Sequence, residues 1–341
     1  MKKIIQTGIA FIMAFLVMNM ICLLWNYYPK TYSSENNYSQ VVLEPGSKII
    51  SSREGFTILN VDSHGYVNEN LPLSADGYIL ICGSSMVEGA QVLENKRYSA
   101  LLNSRLTGKD ELVVYNMGRS GYSYLDIIKG FPSIVREFPE SKAIVIDVMN
   151  GNFTTEDVWD SLNAREYSEA DLAENINWDN LGIRQSIRTV SPFLYNLWLK
   201  ISLIKPNKTS IGFYRIQEKN ELDDDDNSSN YYEPFVATME YMKSIYDEEI
   251  IIAYHPDVFL AENGTLEIVK NNFVADMKMA CEKTGIIWVD CSKQIEQEYK
   301  SEQRLPYGFN NTSFGGGAHL NETGHRIMAD TLYPYLEEII K

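Results

Sequence analysis

The sequence has too few cysteines and too few basic residues for two common classes of protein. Its 341 residues include four cysteines, one of which, Cys22, lies in an apolar stretch, so the chain lacks the disulfide framework of small secreted domains. Cys281 and Cys291 are candidates either for one bridge or for two buried thiols. The 30 basic against 46 acidic residues give a net charge of −16. Because such a surface repels the phosphates of nucleic acid, we expect no nucleic-acid partner.

Two kinds of ligand motif are also missing from the sequence. No Gly-Lys-Ser or Gly-Lys-Thr follows a glycine-rich turn, which excludes a nucleotide P-loop. No spacing of histidines, cysteines and carboxylates fits a metal site. The consecutive aspartates at 223–226 repel one another as a solvated loop does, and they lack the spacing of calcium ligands. We therefore expect neither a cofactor nor a metal.

Long uncharged runs are rare in this chain, with one exception at the N-terminus. Lys2 and Lys3 precede an uncharged run of 22 residues from Ile4 to Trp25, which spans about 33 Å as a helix and can cross a bilayer. No small-x-small cleavage site follows this run, which favours an uncleaved anchor over a signal peptide. The two lysines favour a cytoplasmic N-terminus. We expect a single-pass protein that contacts the lipid bilayer through residues 4–25 and has residues 31–341 outside the cytoplasm.

Five short apolar runs recur along the rest of the chain. They are Tyr78 to Cys82, Leu112 to Asn116, Ala143 to Val148, Ile250 to Tyr254 and Ile286 to Asp290. Each is continuous rather than alternating, which is typical of a strand buried on both faces. Segments with helical spacing lie between most of them, such as Leu125 to Phe138 and Leu266 to Lys283, and a last helix follows near the C-terminus. The sequence predicts a three-layer α/β/α sandwich with a mostly parallel five-stranded sheet.

The spacing of these runs also predicts the domain organisation. We divide the chain into a membrane anchor at 1–30, a stalk and lead-in segment at 31–75, and a domain at 76–341. About a hundred residues separate the third and fourth runs, far more than one crossover helix needs. We therefore expect a long insertion at about 153–245, which could cap a binding cleft.

Residues able to do chemistry follow the apolar runs, at the edge where ligands bind in an open parallel sheet. Ser85 follows the first run, and His319 lies near the C-terminus. A serine hydroxyl becomes a nucleophile when a histidine takes its proton, so the two residues are a candidate pair. The simpler interpretations of Ser85 are a Gly-Ser turn that starts a helix and an anion-binding turn at a helix N-terminus. His255, after the fourth run, is either a pocket residue or a packed loop histidine.

These residues resemble the SGNH family, the serine esterases and acyltransferases related to the GDSL lipases, whose four blocks occur in the same order. The first family block is Gly-Asp-Ser with a glycine four residues later, and it resembles Gly83-Ser84-Ser85 with Gly89, with Ser84 in place of aspartate. This implies that Ser85 is the nucleophile. The second block resembles Asn116 to Gly121, which implies that the Gly121 N–H serves the oxyanion hole.

The other two blocks depart from the family pattern. In the third block Gly151 stands opposite the family's asparagine, with Asn150 and Asn152 on either side, and we expect one of these asparagines to complete the oxyanion hole. The fourth block keeps His319, which the resemblance implies to be the general base. Gly316 stands where the family has the aspartate of the triad.

Because that aspartate is missing, we expect a Ser85–His319 dyad. The second ring nitrogen of His319 would donate to a backbone carbonyl in the loop from Asn310 to Gly317. Asp290 and Glu322 are the carboxylates that could replace the aspartate. Each has a simpler explanation, as a cap at the end of a strand and as a first-turn helix residue.

The resemblance implies an extracytoplasmic serine esterase that acts on small acyl esters, most simply O-acetyl groups, of cell-envelope or other carbohydrate. Two alternatives remain open at this point. The same serine could pass an acyl group to a surface polysaccharide, which would make the protein an O-acyltransferase. The domain could also have lost catalysis and bind glycan as a surface protein.

Overall fold

The structure is a computed structural model. It describes residues 2–25, 27–29, 31–33, 41–52, 54–68, 77–106, 112–149, 153–164, 191, 193–194, 197, 230–261, 263–308 and 319–341. The strands are β1 Thr31–Ser33, β2 Val41–Leu43, β3 Lys48–Ser51, β4 Thr57–Asn60, β5 Gly77–Gly83, β6 Leu112–Gly118, β7 Ser141–Val148, β8 Glu249–Tyr254, β9 Val258–Leu260, β10 Leu266–Ile268 and β11 Ile287–Asp290. The helices are α1 Lys2–Trp25, α2 Ser85–Glu88, α3 Tyr98–Leu106, α4 Tyr124–Glu137, α5 Thr155–Asn163, α6 Tyr232–Ile245, α7 Val274–Thr284, α8 Ser292–Glu302 and α9 Glu322–Ile339.

The five predicted apolar runs form one sheet in the order β11-β8-β7-β5-β6, and all four neighbouring pairs are parallel. Counted along the chain, the order is 2-1-3-4-5, the flavodoxin-like arrangement, whose ligand site lies beyond the carboxyl ends of the first and third strands. The fold-class prediction is confirmed. The two strands at this switch point are β5 and β7.

Helices cover both faces of the sheet, and each face has its own hydrophobic core. Side chains of β5 alternate between the two cores, with Leu80 in one and Ile81 in the other. Helices α4, α5, α6 and α7 pack on the first face, and α3, α8 and α9 pack on the second. Cys281 and Cys291 are separate buried thiols. The three layers expected from the sequence are therefore present.

The predicted helix from Leu266 to Lys283 is wrong in its first part. Residues Leu266–Ile268 form β10, which pairs with β9 in a short antiparallel hairpin, and helix α7 begins only at Val274. Gly264 has a φ of +79° and supplies the turn of this hairpin, because glycine adopts such angles without a steric cost. The local turn therefore prevailed over the apolar spacing.

Residues ahead of the main sheet form two antiparallel strand pairs, β1–β2 and β3–β4. A third hydrophobic cluster joins this segment to the loop that follows α2. It consists of Leu43, Ile49, Leu59, Val61, Val67 and Ala90. The segment expected to be a stalk and lead-in is thus packed against the loop beside Ser85.

Helix α1 is the one helix of the described chain that is long and apolar enough to cross a membrane, and a signal sequence would meet the same criterion. The chain makes its first contact with a strand directly after this helix. The backbone N–H of Tyr27 donates to Ile50 O, and that of Ile50 donates to Tyr27 O, each at 2.8 Å. The chain therefore joins β3 two residues after α1 ends.

Candidate active site

Ser85 is held on a tight turn at the carboxyl end of β5. Ser84 caps the short helix α2, and its Oγ accepts a hydrogen bond from the Met86 N–H at 3.2 Å. Gly89 ends the helix in the left-handed conformation, with a φ of 60°. Ser85 is the first helical residue and is partly buried. The first N–H groups of a helix have no acceptor within it, so the Ser85 N–H is available to a ligand.

His319 lies directly opposite this serine. Its Nε2 is 3.0 Å from Ser85 Oγ, within hydrogen-bonding distance. The backbone on both sides is fixed: the Gly308 N–H donates to His319 O at 3.1 Å, and the Leu320 N–H contacts Met86 Sδ at 3.3 Å. The structure therefore brings together the two residues that the sequence paired over 234 positions.

The other ring nitrogen of His319 has a partner that the sequence analysis missed. His319 Nδ1 lies 2.7 Å from Glu54 Oε2. The side chains of His319 and Glu54 are 28% and 12% exposed, so water screens this contact only in part. Three side chains, Ser85, His319 and Glu54, thus form a continuous hydrogen-bonded chain.

Glu54 reaches the site because it lies in the turn between β3 and β4. Thr57, at the start of β4, donates its Oγ1–H to Ala90 O at 2.6 Å, which ties the hairpin to the loop after α2. Inward-facing Ile49 and Leu59 are 2% and 1% exposed and anchor both strands. Packing of the hairpin therefore fixes the carboxylate beside His319.

The expected dyad geometry is corrected by this contact. Nδ1 of His319 is paired with a carboxylate, where we expected a backbone carbonyl; residues 309–318, in the loop that was to supply it, lie outside the described residues. The two carboxylates considered from the sequence are engaged elsewhere. Asp290 Oδ1 accepts from the Ser292 N–H at 2.8 Å, and Glu322 is exposed in the first turn of α9.

The segment around Glu54, Ser-Ser-Arg-Glu-Gly-Phe, matches no catalytic motif. Its one signal in the sequence is a Glu-Gly pair between two short β-prone stretches, Lys48 to Ser51 and Thr57 to Asn60, which is typical of a hairpin turn. That signal indicates a turn but gives no reason to place the turn beside His319. Only tertiary packing brings Glu54 to the site.

Gly121 lies in the turn after β6, next to the Ser85 turn. Gly83 and Gly118 are partners at the ends of β5 and β6, so the two following turns are side by side. Gly121 has a φ of +90°, and a Cβ there would meet nothing within 4 Å. This conformation favours glycine, and the space beside it is open. Asn150 and Asn152, the other predicted oxyanion residues, lie outside the described residues.

Two residues behind these turns, Gly118 and Asn116, have a structural role. Gly118 is required by contact, because a Cβ there would lie 2.1 Å from Glu88 N. Asn116, from the second motif, is buried; its Nδ2–H donates to Val87 O at 2.7 Å, and its Oδ1 accepts from the Gly118 N–H at 2.8 Å. Asn116 therefore holds the backbone of α2 against β6.

A buried polar cluster lies at the same edge of the sheet. His255 is fully buried, with Nε2 3.1 Å from Asp147 Oδ1 and Nδ1 2.7 Å from Tyr307 Oη. Tyr307 also donates to Pro256 O at 2.7 Å, and burial raises the pKa of its phenol well above the usual range. Of the two interpretations of His255, the packed loop histidine is the one that the structure shows.

Tyr307 connects this cluster to the general-base candidate, because it bridges to Leu320, next to His319. The described part of the chain contains no group of three or more histidines, cysteines or carboxylates able to hold a metal ion. The chemistry available at the site is that of a hydroxyl, an imidazole, a carboxylate and backbone N–H groups.

Among known proteins, this chain is significantly similar to solved structures only. No family model matches the sequence, and no curated protein is significantly similar to it. A member of the lipolytic G-D-S-L family from Veillonella parvula is 12% identical, with a TM-score of 0.39, over 76% of this chain and 98% of that chain. A catalytic mutant of an acetylxylan esterase from Geobacillus stearothermophilus is 14% identical, with a TM-score of 0.38, over 78% and 95%. This chain is thus similar to lipolytic and acetylxylan-esterase structures. A function for it has to be inferred from the geometry of its own site.

Proposed function

We propose that this protein is a serine esterase that acts on small acyl esters, with Ser85 as nucleophile and His319 as general base. The observation that carries the proposal is the hydrogen-bonded chain from Ser85 Oγ to His319 Nε2 at 3.0 Å and from His319 Nδ1 to Glu54 at 2.7 Å. A nucleophile, a base and a group that orients the base are the parts that acyl transfer through serine requires. The resemblance to the SGNH family, stated above, agrees with this chemistry.

In the proposed reaction, Ser85 Oγ attacks the ester carbonyl carbon while its proton moves to His319 Nε2. Glu54 accepts a hydrogen bond from Nδ1–H, which selects the tautomer with a free Nε2 lone pair and stabilises the imidazolium that forms. The N–H groups of Ser85 and Gly121 donate to the oxyanion. One asparagine, Asn150 or Asn152, would add a side-chain donor.

The tetrahedral intermediate then collapses and forms an acyl-serine. His319 returns the proton to the leaving alcohol oxygen, and the C–O bond to that alcohol breaks. A water molecule next gives its proton to Nε2 and attacks the acyl carbon, which releases the acid and restores Ser85. A sugar hydroxyl in place of that water would complete an acyl transfer by the same steps.

For the biological substrate, we propose small acyl groups, O-acetyl first, on cell-envelope or other carbohydrate outside the cytoplasm. This part is supported by α1, whose apolar surface suits a bilayer, and by the lysines that precede it. The net charge of −16 favours a neutral ligand such as a sugar ester over a polyanion.

The proposal is tested with the full chain in lipid nanodiscs. A fluorophosphonate probe should label Ser85, an aryl acetate should be hydrolysed, and Ser85→Ala should abolish both. Hydrolysis that survives Ser85→Ala would overturn the assignment of the nucleophile. Offering an O-acetylated and a bare oligosaccharide separates the outcomes of the acyl-serine, because an esterase releases acetate and a transferase adds acetyl to the bare sugar.

A further inference from the structure

One fully buried carboxyl group next to the proposed site has no role in the reaction described above. Glu88 is the last residue of α2, three positions after Ser85, and its relative exposure is 0%. Its Oε2 is hydrogen-bonded to Ser120 Oγ, and its Oε1 has no hydrogen-bond partner among the described residues. An ionised carboxylate with one bare oxygen in a buried site is costly, whereas a neutral acid is much less so.

Ser120 places this contact on the turn that the proposed mechanism uses. It is exposed at the surface, directly before Gly121, whose N–H is the proposed oxyanion donor. Two backbone hydrogen bonds also hold this turn: the Arg119 N–H donates to Gly83 O at 2.9 Å, and the Tyr122 N–H donates to Arg119 O at 3.1 Å. The Glu88 side chain therefore holds the middle of the turn from beneath.

The charged and titratable groups around Glu88 come from three other elements, and none forms an ion pair with it in the described chain. Arg97, before α3, is paired with Glu94 at 2.8 Å. Arg119, after β6, donates to Gly65 O and lies 4.6 Å from the Tyr66 ring centroid.

The third group is His319, whose ring is engaged with Ser85 and Glu54. Burial raises the pKa of Glu88 above its usual range. A hydrogen bond donated by Ser120 and the charges of Arg119, Arg97 and His319 would favour the ionised form, but they do not cancel this rise.

We propose that Glu88 is a positioning residue that works as a neutral carboxylic acid, donating its proton to Ser120 Oγ and so fixing the oxyanion turn at Gly121. In this arrangement the carboxyl O–H lies on Oε2, and the bare Oε1 is an uncharged carbonyl oxygen. The Ser120 O–H is then free to point outward. The proposal rests on the esterase function proposed above and extends it to the residue that holds the oxyanion donor.

Three single variants of the full chain in nanodiscs test the proposal with an aryl acetate. Glu88→Gln keeps the size and the donor, because its amide N–H can bond Ser120 Oγ, and it should stay within about threefold of wild type. Glu88→Met removes the donor at similar volume, and kcat should fall about ten- to a hundredfold with KM little changed, as expected when a donor is displaced by about 1 Å. Ser120 is exposed, so Ser120→Ala leaves no cavity. This variant should lower kcat by the same factor.

The double variant Glu88→Met/Ser120→Ala should be no slower than either single variant, because both remove one interaction. A Glu88→Gln enzyme as slow as Glu88→Met would show that the charge is needed and would overturn the proposal. So would additive losses in the double variant.

An infrared difference spectrum makes the outcome independent of turnover. Wild type minus Glu88→Gln at neutral pH should contain the carbonyl stretch of a protonated carboxylic acid. Glu94→Gln is the matched control, since Glu94 is also buried but is ion-paired to Arg97, and its difference spectrum should contain carboxylate bands. A carboxylate band for Glu88 would overturn the proposal. If wild type neither hydrolyses esters nor binds the fluorophosphonate probe, the proposed function fails, and the spectrum still decides the state of Glu88.

Discussion

At the scale of single residues, Glu54 changes what is expected of the site. A carboxylate that orients the histidine of a serine hydrolase contributes on the order of 10⁴ in turnover. Glu54→Gln keeps the size of the side chain but can donate to Nδ1 and so favour the wrong tautomer. We predict that kcat for an aryl acetate falls by about 10³ to 10⁴, and that Glu54→Asp, which keeps the charge on a shorter side chain, retains more activity.

The controls for this prediction are Asp290→Asn and Glu322→Gln, the two carboxylates that sequence reasoning had considered. Neither is in contact with His319 among the described residues, and both should stay within about tenfold of wild type, far from the loss of a triad acid. A Glu54→Gln enzyme in that same range would show that the 2.7 Å contact does not serve the reaction.

His325 predicts how stability depends on pH. It is fully buried in α9, its Nδ1 accepts from the Tyr98 N–H at 3.3 Å, and its Nε2 has no hydrogen-bond partner in the part of the chain that the structure describes. Burial, with smaller contributions from Arg97 and the other histidines, lowers its pKa from 6.5 to about 3. Between these two values the unfolded chain binds a proton that the native protein does not, so the free energy of unfolding falls as the pH falls.

We therefore predict that this histidine makes the domain about 2 kcal/mol less stable at pH 5 than at pH 7. Chemical denaturation at both pH values measures the total change, and His325→Gln, whose amide oxygen can still accept from Tyr98, isolates the histidine's part. The variant should show a smaller loss between the two pH values. An equal loss in both proteins would mean that other groups cause it.

At the scale of elements, the β3–β4 hairpin is the part of the fold on which the site depends most. Leu59→Ala removes a side chain that is 1% exposed and should cost about 2–5 kcal/mol. Because Leu59 packs in the small cluster that holds the hairpin, we predict that activity falls to the level of Glu54→Gln while the main sheet stays folded.

Combining Leu59→Ala with Glu54→Gln should then add little further loss, because both act through the same contact. Leu336→Ala is the matched control, since Leu336 is 0% exposed and belongs to the hydrophobic core beneath α9, a different cluster from the one that holds the hairpin. It should lower stability by a similar amount and leave kcat largely intact at a permissive temperature. Equal losses of kcat in the two variants would contradict a specific role of the hairpin.

The same hairpin marks the limit of what the sequence could predict. The five strands were predictable because each is a continuous apolar run, and buried parallel strands produce that pattern whatever surrounds them. Ser85 was predictable because it follows the first strand, at the edge of the sheet where ligands bind. His319 was predictable because its block resembles the fourth block of the SGNH family. Glu54 precedes the sheet, and its position depends on Leu59, Thr57 and their partners in space, which no periodicity encodes.

At the scale of the whole molecule, the proposed anchoring has a direct test. Protease added to intact cells that express the chain should remove the domain, and a chain without residues 2–25 should no longer sediment with membranes. A domain that is protected until the cells are lysed would place it on the other side of the bilayer.

The pairing of Tyr27 with Ile50 also limits how far Glu54 can lie from the end of helix α1. A fully extended chain, with 29 residue-to-residue steps from Trp25 to Glu54, would reach about 100 Å. Because Tyr27 is fastened to β3 immediately after the helix, the Cα atoms of Trp25 and Glu54 are at most about 27 Å apart. An enzyme anchored in this way keeps its site close to the membrane.

A flexible linker of about twenty residues inserted after Trp25 would increase the distance between helix α1 and the site by about 25 Å. We predict unchanged hydrolysis of a soluble aryl acetate and slower hydrolysis of an ester carried on a lipid in the same vesicle, because the lifted site meets the surface less often. A linker of the same length at the aspartates 223–226 is the control and should change neither rate. With the proposed anchoring, the first few residues after the helix would thus decide which esters come within range: those that lie near the bilayer, and not those farther from it.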